Sequence, residues 1–518
     1  MYLTQGLHRM LQQEPDHLAT IFRERRQTYR ELGQRVSRLA GALQTLGMQT
    51  GDRVGMLALN SDRYLEYMLG TWWGGGVLNP VNTRWSVSEI VFSLDDCSTG
   101  ILLVDDHFLP LVEQICLLAK NAPLIIHVGD GTAPTGLYSY EQLIAETAPI
   151  ADVMRGGNDL ASIMYTGGTT GLPKGVMQSH LNLWSCAVTR LAEYPTLPES
   201  RSMHVAPLFH TAALARAVAQ FVAGDVHVII PTFDVLDVMQ TIEREQVNEL
   251  LLVPTMIQAV LMHPDFARYD LSSLKRLAYG ASPIAMPVLE KALAALPGIE
   301  FMQAYGLTEA APVVSISPPS SHEAEGIASG LVRSVGRGGY GGLVRIVDEN
   351  DNEVPRGTVG EIVVCGPNIM LGYWNRPEET AKALKNGWLH TGDGAFMDEQ
   401  GYLFVVDRLK DMIVTGGENV YSAEVENVIA RHSAVAMCAV IGIPHERWGE
   451  AVHAVVVLVP GSEATQEDIR EHCARHIAGF KCPKSVEFST SLPLSAAGKI
   501  LKRELRTPYW KDQARAVN

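Results

Sequence analysis

Hydrophobic positions along this chain repeat with two different periods. Near the amino end, Thr28-Tyr29-Arg30-Glu31 reads as a capping box, and Leu32, Val36, Leu39, Leu43 and Leu46 recur at helical spacing until Gly47. This segment predicts an amphipathic helix closed by its glycine. Short apolar runs bounded by turn residues follow at 54–59, 101–105 and 124–128, which predicts buried strands. Between 203 and 310, apolar runs at 226–230, 250–253, 274–279 and 299–303 alternate with helical spacing at 234–244 and 285–295. Such alternation predicts βαβ units in a parallel sheet, with ligands collecting beyond the carboxyl ends of the strands. Gly280 and Tyr305 are expected just past two of those ends.

From about 330 the pattern changes to short strands punctuated by glycine, at 343–348, 360–365 and 402–406, an antiparallel or barrel-like region. Beyond Arg408 a compact α+β segment is expected. There Ser422 caps a helix into Arg431, strands run at 435–441 and 452–459, and a helix spans 465–477. The polar interruption at 407–411, DRLKD, marks the domain boundary. The fold class is therefore α/β. A large N-terminal domain, 1–409, holds mixed, mostly parallel sheets with helices and the barrel-like β region, and a small α+β domain, 410–518, follows.

Composition narrows the class. At 518 residues more than one domain is expected, and 47% hydrophobic with 19% charged residues is an ordinary globular balance. The net charge of −15, from 42 basic and 57 acidic side chains, argues against bulk nucleic-acid binding. Seven cysteines (Cys97, Cys116, Cys186, Cys365, Cys438, Cys473, Cys482) are dispersed without a C-x-x-C pair. That distribution points to reduced thiols rather than a disulfide framework or zinc site. No basic stretch leads into an apolar core at the start, no run suits a membrane span, and the last residues are no organelle address. A cytoplasmic location is the expectation.

Residues 165–175, YTGGTTGLPKG, carry the strongest chemical signal. Glycines bring backbone N–H groups close to an anion, threonine hydroxyls add donors and Lys174 adds charge, so the segment reads as a polyphosphate cradle. It is not a Walker A loop, because Pro173 precedes Lys174 and Gly175 follows it.

Four further motifs follow in order: YGLTE at 305–309, TGD at 391–393, DRLKDMIVTGGENVYSAEVE at 407–426 and PLSAAGKILKREL at 493–505. Together the five resemble the adenylate-forming superfamily of acyl-CoA synthetases, luciferases and peptide-synthetase adenylation domains, from roughly Thr28 to Leu505. The resemblance implies two half-reactions. A carboxylate attacks the α-phosphate of ATP to give an acyl-adenylate and pyrophosphate, and a thiol, usually coenzyme A, then displaces AMP.

It also implies roles. Thr166, Gly167, Gly168, Thr169, Thr170 and Lys174 would cradle the phosphates, and Gly280, Ala281 and Ser282 would line the adenine face. Tyr305 would stack on adenine, Thr308 would donate to the α-phosphate, and Glu309 with Thr170 would hold Mg²⁺, a cation that prefers oxygen ligands. Asp393 would accept from the ribose hydroxyls, with Arg408 reinforcing that side. Lys499 would bridge the carboxylate and the α-phosphate. The small C-terminal domain would be mobile, pivoting at Lys410 to bring either Lys499 or the loop containing Gly416 and Gly417 to the site. Trp448 would cover the pantetheine arm and Lys481 would meet a phosphate, while Cys482 stands where some relatives carry arginine. His210, Thr211, Ala212, Ala304, Gly306 and Ala311 would wall the acid site. That wall contains no aspartate to hold an α-ammonium, which argues against amino-acid activation.

These residues imply an AMP-forming acyl-CoA synthetase using ATP, Mg²⁺ and coenzyme A on an apolar carboxylic acid. A short- or medium-chain fatty acid is favoured and an aryl acid comes next. The second reading is an acyl-AMP ligase that loads a carrier protein. Dimers are common in the superfamily, so a homodimer is part of the expectation.

Overall fold

The computed structural model describes residues 1–166, 173–495 and 498–511. The capping box forms as expected. Thr28 Oγ1 accepts from Glu31 N while the Glu31 carboxylate accepts from Thr28 N, and the helix Tyr29–Thr45 follows. Leu32, Val36, Leu39 and Leu43 are fully buried along one face. Burying each stabilises the fold by roughly 1.5–3 kcal/mol. This helix packs closely on Asp62–Trp73, where a Cβ on Gly70 would stand 2.7 Å from Leu39 Cδ2 and force that side chain to shift.

Among the described residues the strands assemble into four sheets. In the largest, Arg201–His204, Val226–Ile229, Glu249–Leu252, Arg276–Gly280 and Glu300–Gly306 run parallel. Leu18–Phe22 extends the parallel set beside Val226–Ile229, and Val313–Ser317 turns back antiparallel on Glu300–Gly306. Helices Val235–Glu245 and Met286–Ala295 cross between strands where the spacing placed them. Tyr305 lies inside the strand Glu300–Gly306 rather than beyond it, and Gly280 is the last residue of its own strand. A second sheet joins Arg53–Leu57, Val77–Pro80, Thr99–Val104 and Leu124–His127 in parallel. It ends in the antiparallel hairpin Leu160–Thr166 and Lys174–Ser179.

The glycine-punctuated region is an antiparallel five-stranded sheet. Its longest strand, Trp388–Met397, escaped the sequence pattern because its residues alternate poorly between apolar and polar. The last sheet pairs Val435–His445 with Gly449–Leu458 and packs Ser422–Ile429 and Gln466–Ala474 against it. One expectation is corrected here. Ser422 is the first residue of its helix, not the cap. The Asp407 carboxylate, at the end of the strand Leu403–Arg408, accepts from both Ser422 N and Ser422 Oγ at 2.6 Å and takes the capping role. The seven cysteines are free, and no helix among the described residues is long and apolar enough to cross a membrane.

Candidate active site

Four carboxyl ends of the large parallel sheet open onto one region. After His204 the chain turns through Pro207 to His210, with Leu208 N donating to Asn60 Oδ1 and Asn60 Nδ2 donating to Ala206 O. His210 immediately precedes the helix Thr211–Ala223. Its Nε2 and the Thr211 hydroxyl are buried without a hydrogen-bond partner, and Ala212 is partly exposed beside them. Burial and the nearby charges of Lys499 and Arg84 push the His210 imidazole down to about 3, so it is neutral at working pH.

The strand Arg276–Gly280 delivers Gly280, Ala281 and Ser282, and Ala281 takes a left-handed φ of 66°. A Cβ on Gly280 would lie 2.3 Å from the carbonyl oxygen of Ala304 on the neighbouring strand. Gly306 is tighter still, because a Cβ would fall 1.6 Å from Pro312 O. Both glycines are thus required by backbone approaching backbone, before any ligand is considered. Beyond Gly306 a 3-10 turn, Thr308–Ala310, is held by Gln178 Nε2 donating to Thr308 O, Met370 N to Glu309 O and Asn368 Nδ2 to Ala310 O. The Glu309 carboxylate accepts from Tyr373 Oη at 2.8 Å. Ala311 is fully buried behind this turn, whereas Ala304 is partly exposed.

The antiparallel sheet brings Asp393 opposite Arg408, with Arg408 Nε 3.5 Å from Asp393 Oδ1. Asp393 also accepts from Tyr305 Oη at 2.6 Å. Burial raises the Asp393 carboxyl above its ordinary range, against the opposing effects of Arg408, Tyr305, Lys499 and Lys410. Lys499 completes the cluster. Ser495 N donates to Lys499 O and Lys499 N to Ser495 Oγ, which ties Lys499 to Ser495. Burial, with Arg408 adding to it, lowers the Lys499 ammonium to about 8, partly offset by Asp393 and Glu309.

At the phosphate cradle, Thr166 ends one hairpin strand opposite Lys174. Gly167, Gly168, Thr169 and Thr170 lie outside the described residues. The Lys174 ammonium pairs with Glu379 and sits 5.5 Å from the centre of the Tyr373 ring. Glu379, Tyr373 and Arg84 were not singled out in the sequence. The run at 372–377, GYWNRP, was the available signal for Tyr373, but Arg84 carried none.

Lys410 is electrostatically coupled to Asp393 and Arg408 at the edge of this cluster, whereas Gly416, Gly417 and Trp448 lie in the small unit. Lys410 follows Arg408 in the 407–411 segment, and burial lowers its ammonium. Gly416 and Gly417 take left-handed φ values of 62° and 87°, and Gly416 N donates to Trp448 O. Trp448 stacks on His445 with ring centres 4.1 Å apart. Lys481 is engaged by Glu424 at 2.7 Å.

A large α/β body with a half-barrel sheet, a glycine- and threonine-rich sequence between the paired strands Leu160–Thr166 and Lys174–Ser179, and a small α+β unit carrying a half-buried lysine defines the adenylate-forming fold. Residues 7–374 match the AMP-binding enzyme family and residues 424–499 its C-terminal domain. The chain belongs to the AMP-binding enzyme family and is an AMP-forming acyl-CoA ligase. It is 41% identical to a feruloyl-CoA synthase of Amycolatopsis over 93% of this chain and 94% of that one. It is also 36% identical to the fatty acid–[acyl-carrier-protein] ligase ScoC of Streptomyces coeruleorubidus, covering 98% and 96% of the two chains. ATP-bound MatB from Rhodopseudomonas palustris superimposes with a TM-score of 0.89 at 31% identity, covering 99% of each chain.

Proposed function

We propose that the cluster at the strand ends is the adenylation centre and that the acid it activates is an apolar monocarboxylic acid. The observation that carries this reading is Lys499. An ammonium is held at the carboxyl ends of the sheet, among Asp393, Glu309 and Arg408, with its charge disfavoured by burial. Such a group gains most when two anions arrive, because their joining would otherwise be opposed by repulsion. In the first half-reaction a carboxylate oxygen bonds to the α-phosphorus and the bond to pyrophosphate breaks. Lys499 offsets the charge shared by the two anions, Thr308 donates to the α-phosphate, and neutral His210 offers its N–H to the acid carboxylate. Asp393 exchanges the Tyr305 hydroxyl for ribose hydroxyls. In the second, the thiol sulfur of coenzyme A bonds to the acyl carbon and the bond to AMP breaks.

Among the described residues no group of three or more His, Cys, Asp or Glu side chains could hold a metal ion. A single carboxylate, Glu309, suits Mg²⁺ that takes its remaining ligands from phosphate and water. Bound there, the ion would supply positive charge to the phosphate oxygens. Residues 410–518 are proposed as the mobile unit, hinged at Lys410, which exchanges Lys499 for the Gly416-Gly417 loop. Trp448 is then free to cover the pantetheine arm.

For the acid, the apolar and small residues near His210 support a short- or medium-chain fatty acid. The feruloyl-CoA synthase relative favours an aryl acid as the second reading. One experiment tests centre and substrate together. Pyrophosphate exchange is measured with aliphatic and aryl acids, in the parent enzyme and in Lys499→Ala. The variant should lose exchange by on the order of 10²–10³-fold, yet form thioester from supplied acyl-adenylate at near the parent rate. Near-parent exchange in Lys499→Ala would refute the assignment, and the acid with the highest kcat/KM identifies the class.

A further inference from the structure

Three side chains of the large body reach across to backbone carbonyls of the C-terminal segment. Arg84 Nη1 donates to Ser495 O at 3.0 Å, Thr255 Oγ1 to Gly498 O at 3.4 Å, and Gln258 Nε2 to Ala436 O at 2.9 Å. Two of the acceptors, Ser495 and Gly498, belong to the segment that carries Lys499. The third lies at the start of the long strand Val435–His445. Thr255 and Gln258 sit on one helix, Pro254–Met262, which follows directly from a parallel strand whose carboxyl end faces the site. Pro254 occupies its first turn, fixing where that helix begins.

Gly498 fits against this rail only as glycine. It takes φ 73°, and a Cβ there would stand 2.8 Å from Thr255 Oγ1 and 3.0 Å from Val253 Cγ2. All three bonds run from a side chain to a main-chain oxygen, two at the Lys499 segment and the third on a strand of the same unit, so they fix backbone positions there whatever the side chains are. We infer that Arg84, Thr255 and Gln258 are positioning residues that seat the Lys499 segment for acyl-adenylate formation and are released for thioester formation. Arg84 also contributes charge near His210, so Thr255 and Gln258 are the cleaner pair to test. The inference rests on the assignment of Lys499 to the first half-reaction.

The test uses the full-length enzyme and measures the two half-reactions separately in Thr255→Val, Gln258→Ala and the double variant. A net hydrogen bond of ordinary strength corresponds to roughly a threefold to tenfold effect. Each single variant should lower kcat of pyrophosphate exchange by about that factor, and the double variant by about 10–100-fold, with the KM for ATP unchanged. Thioester formation from supplied acyl-adenylate should stay at the parent rate, and Thr255→Ser should restore exchange to near the parent value. Equal loss in both half-reactions, or unaltered exchange in the double variant, overturns the rail. Lys499→Ala separates the two levels. If that variant still adenylates, the assignment of Lys499 fails. If it does not, while the double variant exchanges normally, only the rail fails.

Discussion

The same parallel strands end in two opposite electrostatic designs. At their amino ends, Glu249 is buried between Arg190, with which it makes a close ion pair, and Arg216, whose Nη2 lies 3.2 Å from Glu249 Oε1. Arg216 also donates to Ser202 Oγ, and Arg276 pairs with Glu300 at 2.8 Å. Burial alone would raise the Glu249 carboxyl, but Arg190, Arg216 and Arg276 hold it below its ordinary range. At the carboxyl ends, burial lowers both Lys499 and His210, Lys499 further disfavours the charged His210 imidazole, and burial raises Asp393. Glu249, Arg190 and Arg216 at the amino ends are buried, the charges at the carboxyl ends are half-buried, and the compensation differs as well. The amino-end cluster carries its countercharges within the chain, so it functions as a closed structural element. The carboxyl-end cluster is left short of negative charge, and in the proposed mechanism the anionic substrates complete it.

The sharpest way to break this contrast is to remove the countercharge at the closed end. Glu249→Gln leaves two buried guanidinium groups without their carboxylate and should destabilise the enzyme by about 3–5 kcal/mol, read by calorimetry. A change below about 1 kcal/mol would show that water, not Glu249, satisfies those arginines. At the open end the prediction concerns rate. In the proposed mechanism Lys499 acts as the ammonium, and burial lowers it to about 8. As pH rises through that value the charge is lost, so kcat/KM for pyrophosphate exchange should fall up to tenfold per unit above about pH 8. A profile flat to pH 10 would place the ammonium in a far more compensated setting.

A smaller effect tests how complete the closed end is. The Asp225 carboxyl, whose Oδ2 is buried without a partner, is raised to about 7 by burial and by Glu249. A carboxyl raised on folding stabilises the protein below its unfolded pKa, and that contribution is lost as pH rises through about 7. Asp225→Asn should therefore raise the melting temperature by a few degrees at pH 8, by less at pH 5, and hardly at all below the ordinary aspartate pKa of about 4. Equal shifts at both pH values would remove Asp225 from the titrating group.

Much of this molecule was legible in advance because local rules govern it. The Thr28–Glu31 capping box, the period of Leu32 to Leu43 and the alternation between 226 and 303 each fix backbone within a few residues, and the helices and strands formed there. The order of the five motifs identified the family. The misses share a physical cause. Trp388–Met397 is a strand made by its neighbours in the sheet rather than by its own alternation. Asp407 caps a helix that begins well beyond it, so the nearer Ser422 drew the assignment.

The sequence by itself determined the reaction class, because the glycine- and threonine-rich segment, the TGD motif and the glycine–lysine motif are short segments whose chemistry is local. Tertiary structure alone decided which charges are compensated. Whether Lys499 meets Asp393, Lys174 meets Glu379, or Gln258 meets Ala436 depends on where strands end and helices cross, and the partners of a buried charge come from distant parts of the chain.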